Sequence, residues 1–316
     1  MEYNAMPNDR PRPCDDVHDA LPAVDVTHLP SPLHLYLRAL LTSRKPAEAR
    51  ALPTLAFARR NVALDAAAIA RYAQLCGFRD ANAVPPTWPH LLAFPLHMLL
   101  MTDRAFPFAM LGMVHLANRI RSSATVAPGE RIDLDVRSGA LHAHDKGQVF
   151  TVVTTARRDG VVVWTGESLY LRTGVRDALG TPYRAELAAG IPMEALRTWQ
   201  VPADLGRRYA RLSGDYNPIH LWPVTARLFG FQRPIIHGMW SFARALAEVV
   251  PAHADDLDLL VEFKTPVLLP GEVTFWRAPR GDVFELRDAA GTVPHLRGRW
   301  QAPAPFSSSF DTEPQS

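Results

Sequence analysis

The sequence has few cysteines and no block of one charge. Cys14 and Cys76 are its two cysteines, and they lie far apart in the chain. A disulfide framework or a thiolate metal site needs several closely spaced cysteines, so neither is predicted. There are 34 basic and 32 acidic residues, which leaves a formal net charge of +2. Binding to a nucleic-acid backbone requires clustered positive charge, so nucleic acid is not an expected partner.

Long apolar runs and a secretory signal are also missing. The longest apolar run, residues 91–101, is about half of the roughly 20 residues that a helix needs to cross a bilayer. It therefore predicts a buried helix rather than a membrane span. The first residues are polar and proline-rich, without the basic start and apolar centre of a secretory signal. These absences predict a cytoplasmic protein.

Composition separates the two ends of the chain from its centre. Both ends contain few residues that would offset the entropy cost of ordering, so we expect a disordered leader over residues 1–30 and a disordered tail over residues 304–316. With 47% hydrophobic residues in 316, the chain is long enough for one large domain or for two of about 150 residues that each have a core.

A faint internal repeat divides this centre in two. Residues 72–78 (YAQLCGF) resemble residues 209–215 (YARLSGD), and the tripeptide Pro-Gly-Glu at 128–130 recurs at 270–272. The repeat predicts three segments: an N-terminal unit over residues 31–175, a linker over residues 176–205 and a C-terminal unit over residues 206–303.

Each unit is expected to contain one apolar helix followed by antiparallel strands. The helices are predicted from Pro95 through Leu100 and from Met239 to Val250, where Pro251 ends the second one. The pattern predicts an α+β fold in which a helix is wrapped by an antiparallel sheet, twice over, and two unrelated α+β domains are the alternative. Strands are predicted in runs rich in β-branched and aromatic residues, at 132–136, 149–155, 161–171, 273–276, 283–287 and 296–300.

The residues with chemical potential lie together in residues 209–240. Asp215 and His220 flank a proline, so a tight loop can bring an acid and a base into one pocket. Aligning the repeats places Phe78 opposite Asp215 and Ala83 opposite His220, which favours one working site per chain. The alternative is that Asp215 and Asn217 are turn residues that cap the backbone.

The segments SGDYNPIH and GFQRPIIHGM resemble the signature of MaoC-like dehydratases, the (R)-specific enoyl-CoA hydratases of type 2. The resemblance is close over residues 209–240 and looser over roughly residues 30 to 303, which are similar to the double hotdog members of that family. It implies two copies of a long helix in a curved antiparallel sheet, joined side by side, with a thioester between them. The N-terminal hotdog would be degenerate and non-catalytic.

The resemblance also implies a role for individual residues. Asp215 and His220 would be catalytic, Asn217 would support them, and the backbone of Gly238 would bind the oxyanion. The family's aspartate soon after the histidine is missing, because Leu221 and Trp222 follow His220. His237 is equally compatible with a structural role, and Ser213 lacks the surroundings of a nucleophile. The residues expected to line the substrate pocket are Ser213, Tyr216, Pro218, Trp222, His237 and Met239.

The implied reaction is the reversible hydration of trans-2-enoyl-CoA to (R)-3-hydroxyacyl-CoA in fatty acyl metabolism. It needs a base for water, an acid for C2 and a donor for the thioester oxygen. No metal or redox cofactor is expected, since coenzyme A is part of the substrate and His90, His97 and His115 lack metal-ligand spacing. The alternatives are a non-catalytic acyl-thioester-binding hotdog protein and a hotdog thioesterase.

Partners beyond the thioester stay open at this point. Coenzyme A and an acyl carrier protein are both candidate carriers, a homodimer is compatible with the sequence, and the apolar Phe78 favours medium or long acyl groups. The cations expected to meet the carrier are Arg207, Arg208, Arg211, Arg233 and Lys264.

Overall fold

The computed structural model describes residues 23–301, except residues 46–47, 49, 81, 252–253 and 255. The predicted tail and residues 1–22 of the predicted leader lie outside the described residues. The N-terminal half comprises β1 (Val24–Asp25), α1 (Pro32–Leu41), β2 (Ala56–Ala63), α2 (Ala66–Cys76), α3 (Trp88–Thr102), β3 (Met113–Ser122), β4 (Arg131–His144), β5 (Gly147–Arg158), β6 (Val161–Thr173) and β7 (Thr181–Pro182). The C-terminal half comprises β8 (Glu194–Val201), α4 (Leu205–Ser213), α5 (Pro223–Leu228), α6 (Gly238–Val249), β9 (Leu257–Phe263), β10 (Gly271–Arg277), β11 (Val283–Asp288) and β12 (Pro294–Gln301), and short 3-10 helices cover Thr42–Arg44 and Pro218–His220.

The strands form one sheet that shows the internal repeat directly. Its order is β1-β2-β4-β5-β6-β3-β9-β12-β11-β10-β8, with β7 beside β4. The N-terminal order β2-β4-β5-β6-β3 has the same topology as the C-terminal order β8-β10-β11-β12-β9, so the predicted duplication is confirmed. The halves join where β3 and β9 pair antiparallel, with Ala117 opposite Glu262.

The two halves also share the way in which one pair of equivalent helices, α2 and α4, ends. Tyr72 in α2 and Tyr209 in α4 are almost fully buried, and their ring centroids lie 6.2 Å apart. Both helices end at a glycine in the left-handed conformation, Gly77 with φ 80° and Gly214 with φ 72°. A side chain is strained in that conformation, which explains why glycine occurs at both positions.

A long buried helix lies against the sheet in each half, as predicted. Helix α6 begins at Gly238 and ends just before Pro251. The predicted start of the first-half helix at Pro95 is wrong, because α3 begins at Trp88 and contains Pro95 inside it. Burial of almost the whole of α3 offsets the one backbone hydrogen bond that Pro95 removes. Among the described residues, no helix is long and apolar enough to cross a membrane.

The six predicted strands are present, but the predicted linker and leader need correction. Strand β8 lies inside the predicted linker and pairs with β10 at the edge of the sheet. Most of its residues are exposed, so it lacks the alternation that marks a half-buried strand. Strand β1 lies inside the predicted disordered leader and pairs with β2, where Val24 is opposite Phe57.

The core helix of the C-terminal half provides a test of stability. Leu246 in α6 is fully buried in the hydrophobic core. Leu246→Ala is expected to lower the free energy of unfolding by about 2–5 kcal/mol, because it leaves a cavity that the packed core closes only in part. Chemical denaturation measures this loss. Leu196→Ala on β8 is the control, since Leu196 is 46% exposed, and an equal loss in both variants would contradict the packing described.

Candidate active site

The loop that follows α4 brings Asp215 and His220 into one pocket. Gly214 turns the chain immediately before Asp215. Pro218 begins the 3-10 helix that ends at His220, and its fixed φ suits the first helical position. The side-chain oxygen of Asn217 caps this helix by accepting from the backbone N–H two residues later at 3.4 Å. The turn chemistry and the acid/base pair therefore occupy the same loop, so neither interpretation excludes the other.

His220 is a buried imidazole with one nitrogen already bonded. Its Nδ1 lies 2.8 Å from the carbonyl oxygen of Ile235. A carbonyl oxygen only accepts, so we assign the proton to Nδ1 and a free lone pair to Nε2. Burial lowers the pKa of His220 below its ordinary 6.5, although the charge of Asp215 and the bond to Ile235 act in the opposite direction. His220 is therefore a neutral proton acceptor at pH 7.

His237 supports this arrangement from the start of α6. Its ring stacks on His220 with centroids 3.7 Å apart, and its Nε2 donates to the main-chain carbonyl oxygen of Asp215 at 2.9 Å. Burial and the neighbouring His220 lower the pKa of His237 to about 3, so this ring is neutral as well. These contacts support the structural role that the sequence left open, because His237 fixes both the Asp215 loop and the His220 ring.

Asp215 is half-buried, and solvent reaches its carboxylate. Its side chain is 24% exposed, and its Oδ1 accepts from the Tyr36 hydroxyl at 2.5 Å and from the Asn217 N–H at 3.1 Å. Burial raises the pKa of Asp215, but the His237 and His220 rings and these two hydrogen bonds outweigh it. The pKa therefore lies below its ordinary 3.8, and the group is a carboxylate at pH 7.

Gly238 is the first residue of α6, directly after His237. The initial N–H groups of a helix have no partner inside the helix and carry its positive dipole end. Among the described residues no acceptor is found for the Gly238 N–H. A Cβ atom at this position would lie 3.0 Å from the Phe263 ring, so the close packing of Phe263 explains the glycine. The N–H remains available for an anionic oxygen.

The same residues offer a carboxylate and two imidazoles as metal ligands. One ligand atom each from Asp215, His220 and His237 lies within 4.8 Å of the others. The stacked rings are inclined by only 28°, however, and the lone pair of an imidazole lies in its ring plane. Two nearly parallel planes do not meet at metal–nitrogen distances of about 2.1 Å. The geometry suits two proton acceptors better than a bound ion.

The other residues expected to line the pocket occupy different environments. The Ser213 hydroxyl accepts the N–H two residues later at 3.2 Å, which is the local turn role. Met239 is 6% exposed and belongs to the core, whereas Tyr216 is 36% and Trp222 is 53% exposed beside the loop. The Arg207 guanidinium lies 4.1 Å from the centroid of the Trp222 ring. The exposed Trp222 ring, with the Arg207 guanidinium against it, therefore lies near the site.

The cations expected to meet the carrier also differ from one another. Lys264 is paired with Glu262 at 2.7 Å, and Arg233 donates to a backbone carbonyl at 3.0 Å. Arg208 and Arg211 are exposed on α4. These two arginines are better placed for a ligand in solution than Lys264.

Side chains of the N-terminal half, which the sequence did not assign to the site, surround Asp215. Burial lowers the pKa of His90 to about 4 and that of His115 to about 3, and the charge of Asp215 acts in the opposite direction on both. His115 stacks on Tyr170 with centroids 4.7 Å apart. In the sequence, His90 and His115 were notable only as histidines among apolar residues. No sequence pattern pointed to Tyr36.

The equivalent region of the first repeat has no acid/base pair. Phe78 packs against the hydrophobic core. Phe78 and Ala83, together with Glu248 and Val250 of the other half, line a cavity of about 340 Å³. The preference for longer acyl groups stays a prediction.

Comparison with known sequences identifies similar proteins. A family model described as a MaoC like domain matches residues 179–295. The chain is 34% identical over 250 residues to the 3-hydroxyacyl-thioester dehydratase X of Mycobacterium tuberculosis, and the match covers 78% of this chain and 88% of that protein. It is 40% identical over 70 residues to the (R)-specific enoyl-CoA hydratase of Aeromonas caviae, covering 21% of this chain and 52% of that protein.

A solved structure agrees with the sequence matches. The crystal structure of HtdX from Mycobacterium tuberculosis matches this chain with a TM-score of 0.67 at 31% identity. The match covers 78% of this chain and 99% of that chain. The α+β double hotdog architecture predicted from the resemblance is confirmed.

Proposed function

Because the chain belongs to the MaoC-like dehydratase family, we propose that it is a hydro-lyase for trans-2-enoyl-CoA and (R)-3-hydroxyacyl-CoA in fatty acyl metabolism. Family membership supports the reaction type, and the Asp215 and His220 pair supports its location. The proposal assigns catalysis to Asp215 and His220, a supporting role to Asn217 and oxyanion binding to Gly238.

One observation carries the proposal. A carboxylate and a neutral imidazole, both proton acceptors at pH 7, present atoms within 4.8 Å of each other. A water molecule that donates one hydrogen bond of about 2.8 Å to each of two acceptors holds them roughly 4.4 Å apart. We assign the binding of one such water molecule to the carboxylate of Asp215 and to Nε2 of His220, the nitrogen that is not bonded to Ile235. The water would use both of its protons in these bonds and keep an oxygen lone pair free for attack.

The chemical steps follow from this arrangement. The water oxygen forms a bond to C3 of the enoyl group while Asp215 takes one of the water protons. The electrons of the C2–C3 double bond move to C2 and to the thioester oxygen. A proton then passes from the Asp215 and His220 pair to C2, so the pair returns to its initial state. The net change is the addition of one water molecule.

The negative charge that builds on the thioester oxygen needs a fixed donor. The Gly238 N–H has no acceptor among the described residues and lies at the positive end of α6. A preorganised backbone donor of this kind stabilises an oxyanion without reorganisation during the reaction. Gly238 is therefore assigned to the thioester oxygen.

Coenzyme A is the carrier that the surface beside the loop supports better. The exposed Trp222 ring and the Arg207 guanidinium over it offer stacking and charge, and Arg208 and Arg211 offer two more cations. An adenine ring and phosphate groups require these same interactions. We assign the adenosine end of coenzyme A to this surface, and an acyl carrier protein is the second arm of the experiment.

Hydration can be followed by the loss of enoyl-thioester absorbance. Purified protein is mixed with a series of trans-2-enoyl-CoA substrates of about four to sixteen carbons. The same acyl chains are then tested as acyl-carrier-protein thioesters. Free thiol is measured in all of these mixtures. We expect absorbance loss without thiol release. Thiol release would identify a thioesterase, and binding without either signal would identify a non-catalytic protein. A rate that peaks at about four carbons and collapses by about ten would contradict the expected longer acyl groups.

The pH dependence of kcat/KM follows from the two lowered pKa values. The active form has an ionised Asp215 and a neutral His220. Their pKa values lie below the ordinary 3.8 and 6.5, respectively. We expect kcat/KM for hydration to be constant above about pH 6.5 and to fall only in more acidic buffer, as these groups take up protons. A half-maximal value near pH 8 on the acidic side would contradict this assignment.

A further inference from the structure

Tyr36 reaches the site from α1, a helix of the N-terminal half that has no counterpart among the described residues of the C-terminal half. It lies in α1, before the first repeated strand β2. Its hydroxyl nevertheless donates to Oδ1 of Asp215, a residue 179 positions later, at 2.5 Å. Neither the duplication nor the family signature assigns a role to this residue, so its role must be inferred from the contact.

Buried side chains of α1 and hydrogen bonds just after its last residue hold the helix in place. Leu35 is 2% exposed and Ala39 is fully buried. Beyond the helix, the Thr42 hydroxyl accepts from the Met110 N–H at 2.9 Å. The Lys45 ammonium donates to two carbonyl oxygens of the loop after α3, at 2.6 and 2.5 Å. The position of the Tyr36 hydroxyl is therefore set by the fold and not by a freely moving side chain.

The contact makes the two oxygens of Asp215 unequal. Oδ1 accepts from Tyr36 and from the Asn217 N–H. Among the described residues, Oδ2 has no donor at hydrogen-bond distance, and the Nε2 of the neutral His237 ring lies 3.9 Å from it. An oxygen that already accepts two hydrogen bonds is the weaker proton acceptor. Oδ2 is thus the oxygen left for the water.

Tyr36 itself is suited to hold a hydrogen bond and not to transfer a proton. Burial and the charge of Asp215 raise the pKa of its hydroxyl well above the ordinary 10.0. A phenol with so high a pKa stays protonated throughout turnover at neutral pH. It can donate to the carboxylate in every step of the reaction.

We propose that Tyr36 is a positioning residue that holds Oδ1 of Asp215 and directs Oδ2 to the reacting water. This inference rests on the proposed hydration. It also implies that α1, a helix of the N-terminal half, completes the site of the C-terminal half.

Several titratable groups besides Tyr36 act on Asp215 and must be considered in any pH experiment. They come from the 3-10 helix, α6, α3, β3, β6 and α4, and they are His220, His237, His90, His115, Tyr170 and Tyr209. Tyr36→Phe leaves all of these groups in place. A change in the titration of Asp215 in this variant therefore reports on the lost hydroxyl.

Tyr36→Phe should separate positioning from binding. We expect kcat to fall about 10-fold while KM stays within about 2-fold, because the variant loses an interaction with the base and none with the thioester. Removing a donor to the charged form raises the pKa of Asp215, so a direct titration of this carboxyl should show a pKa higher by about one unit. Leu37→Ala is the control, since Leu37 lies on the same helix and is 52% exposed.

A second readout does not depend on turnover. The carboxyl carbon of Asp215 can be titrated by ¹³C NMR in the wild type and in Tyr36→Phe, with Asp215→Asn to assign the signal. A higher pKa of Asp215 in Tyr36→Phe supports the action of Tyr36 on this carboxylate, whether or not the wild type hydrates enoyl-CoA. A wild type that hydrates no enoyl-CoA would contradict the proposed function and not the contact. An unchanged pKa and an unchanged kcat in an active enzyme would overturn the role of Tyr36.

Discussion

Asp215→Asn is expected to lower kcat for hydration by about 10³-fold or more, within the range that a general base contributes. The amide can still accept at the Oδ1 position from Tyr36 and from the Asn217 N–H. It presents an NH₂ group in place of Oδ2, so the proton acceptor for water is lost while the loop keeps its hydrogen bonds. The rate is measured as the loss of enoyl-thioester absorbance with time.

The control for this variant is Asp204→Asn. Asp204 is exposed at the start of α4 and makes no side-chain capping bond, so its substitution should leave kcat within about 2-fold. Thermal unfolding of both variants should resemble that of the wild type. An Asp215→Asn enzyme that keeps more than about a tenth of the wild-type rate would remove Asp215 from the role of base.

His220→Asn is expected to lower kcat by about 10²-fold to 10⁴-fold, because it removes the second acid/base group. Asparagine is the informative substitution. Its Nδ2 can replace Nδ1 of the imidazole as the donor to the Ile235 carbonyl oxygen, which lies 2.8 Å away in the wild type. The variant therefore loses Nε2 and retains the hydrogen bond that holds the loop.

His295→Asn is the matched control. The Nδ1 of His295 also lies near a backbone carbonyl oxygen, that of Thr265 at 3.2 Å, but His295 is on β12 and is not a site residue. We expect no more than a 2-fold change in kcat, a size typical of a substitution outside the site. Equal losses in the two histidine variants would mean that the measurement reports loss of structure and not loss of a proton acceptor.

Sequence patterns predicted the parts of the fold that carry their own signal. The strands β5 and β6 are rich in valine, threonine and aromatic residues, and the turn between them contains Asp159 and Gly160 with positive φ. Strands β2, β3 and β9 were not predicted; β2 and β3 each contain two arginines, and β9 contains two acidic residues. Strand β8 was assigned to a linker because it is mostly exposed. For these strands the pairing partner decides the structure, and local composition does not show the partner.

The site also contains residues that the sequence predicted and residues that it did not. Asp215, His220 and Gly238 were predicted because loop chemistry and the family signature lie in one short stretch. The contact between Tyr36 and Asp215 was not predicted, since it depends on how α1 packs on the rest of the fold. His90 and His115 were noted only as histidines in apolar company. Their proximity to Asp215 follows from the joining of the two halves at β3 and β9.

Labelled water distinguishes hydration of the C2–C3 double bond from hydrolysis of the thioester. The reaction of trans-2-enoyl-CoA is run in H₂¹⁸O, and the products are examined by mass spectrometry and by chiral separation. We expect intact (R)-3-hydroxyacyl-CoA with the label in the C3 hydroxyl, formed about 10³-fold more slowly by Asp215→Asn. Label in the carboxylate of a free fatty acid, with release of coenzyme A, would contradict the proposed hydration.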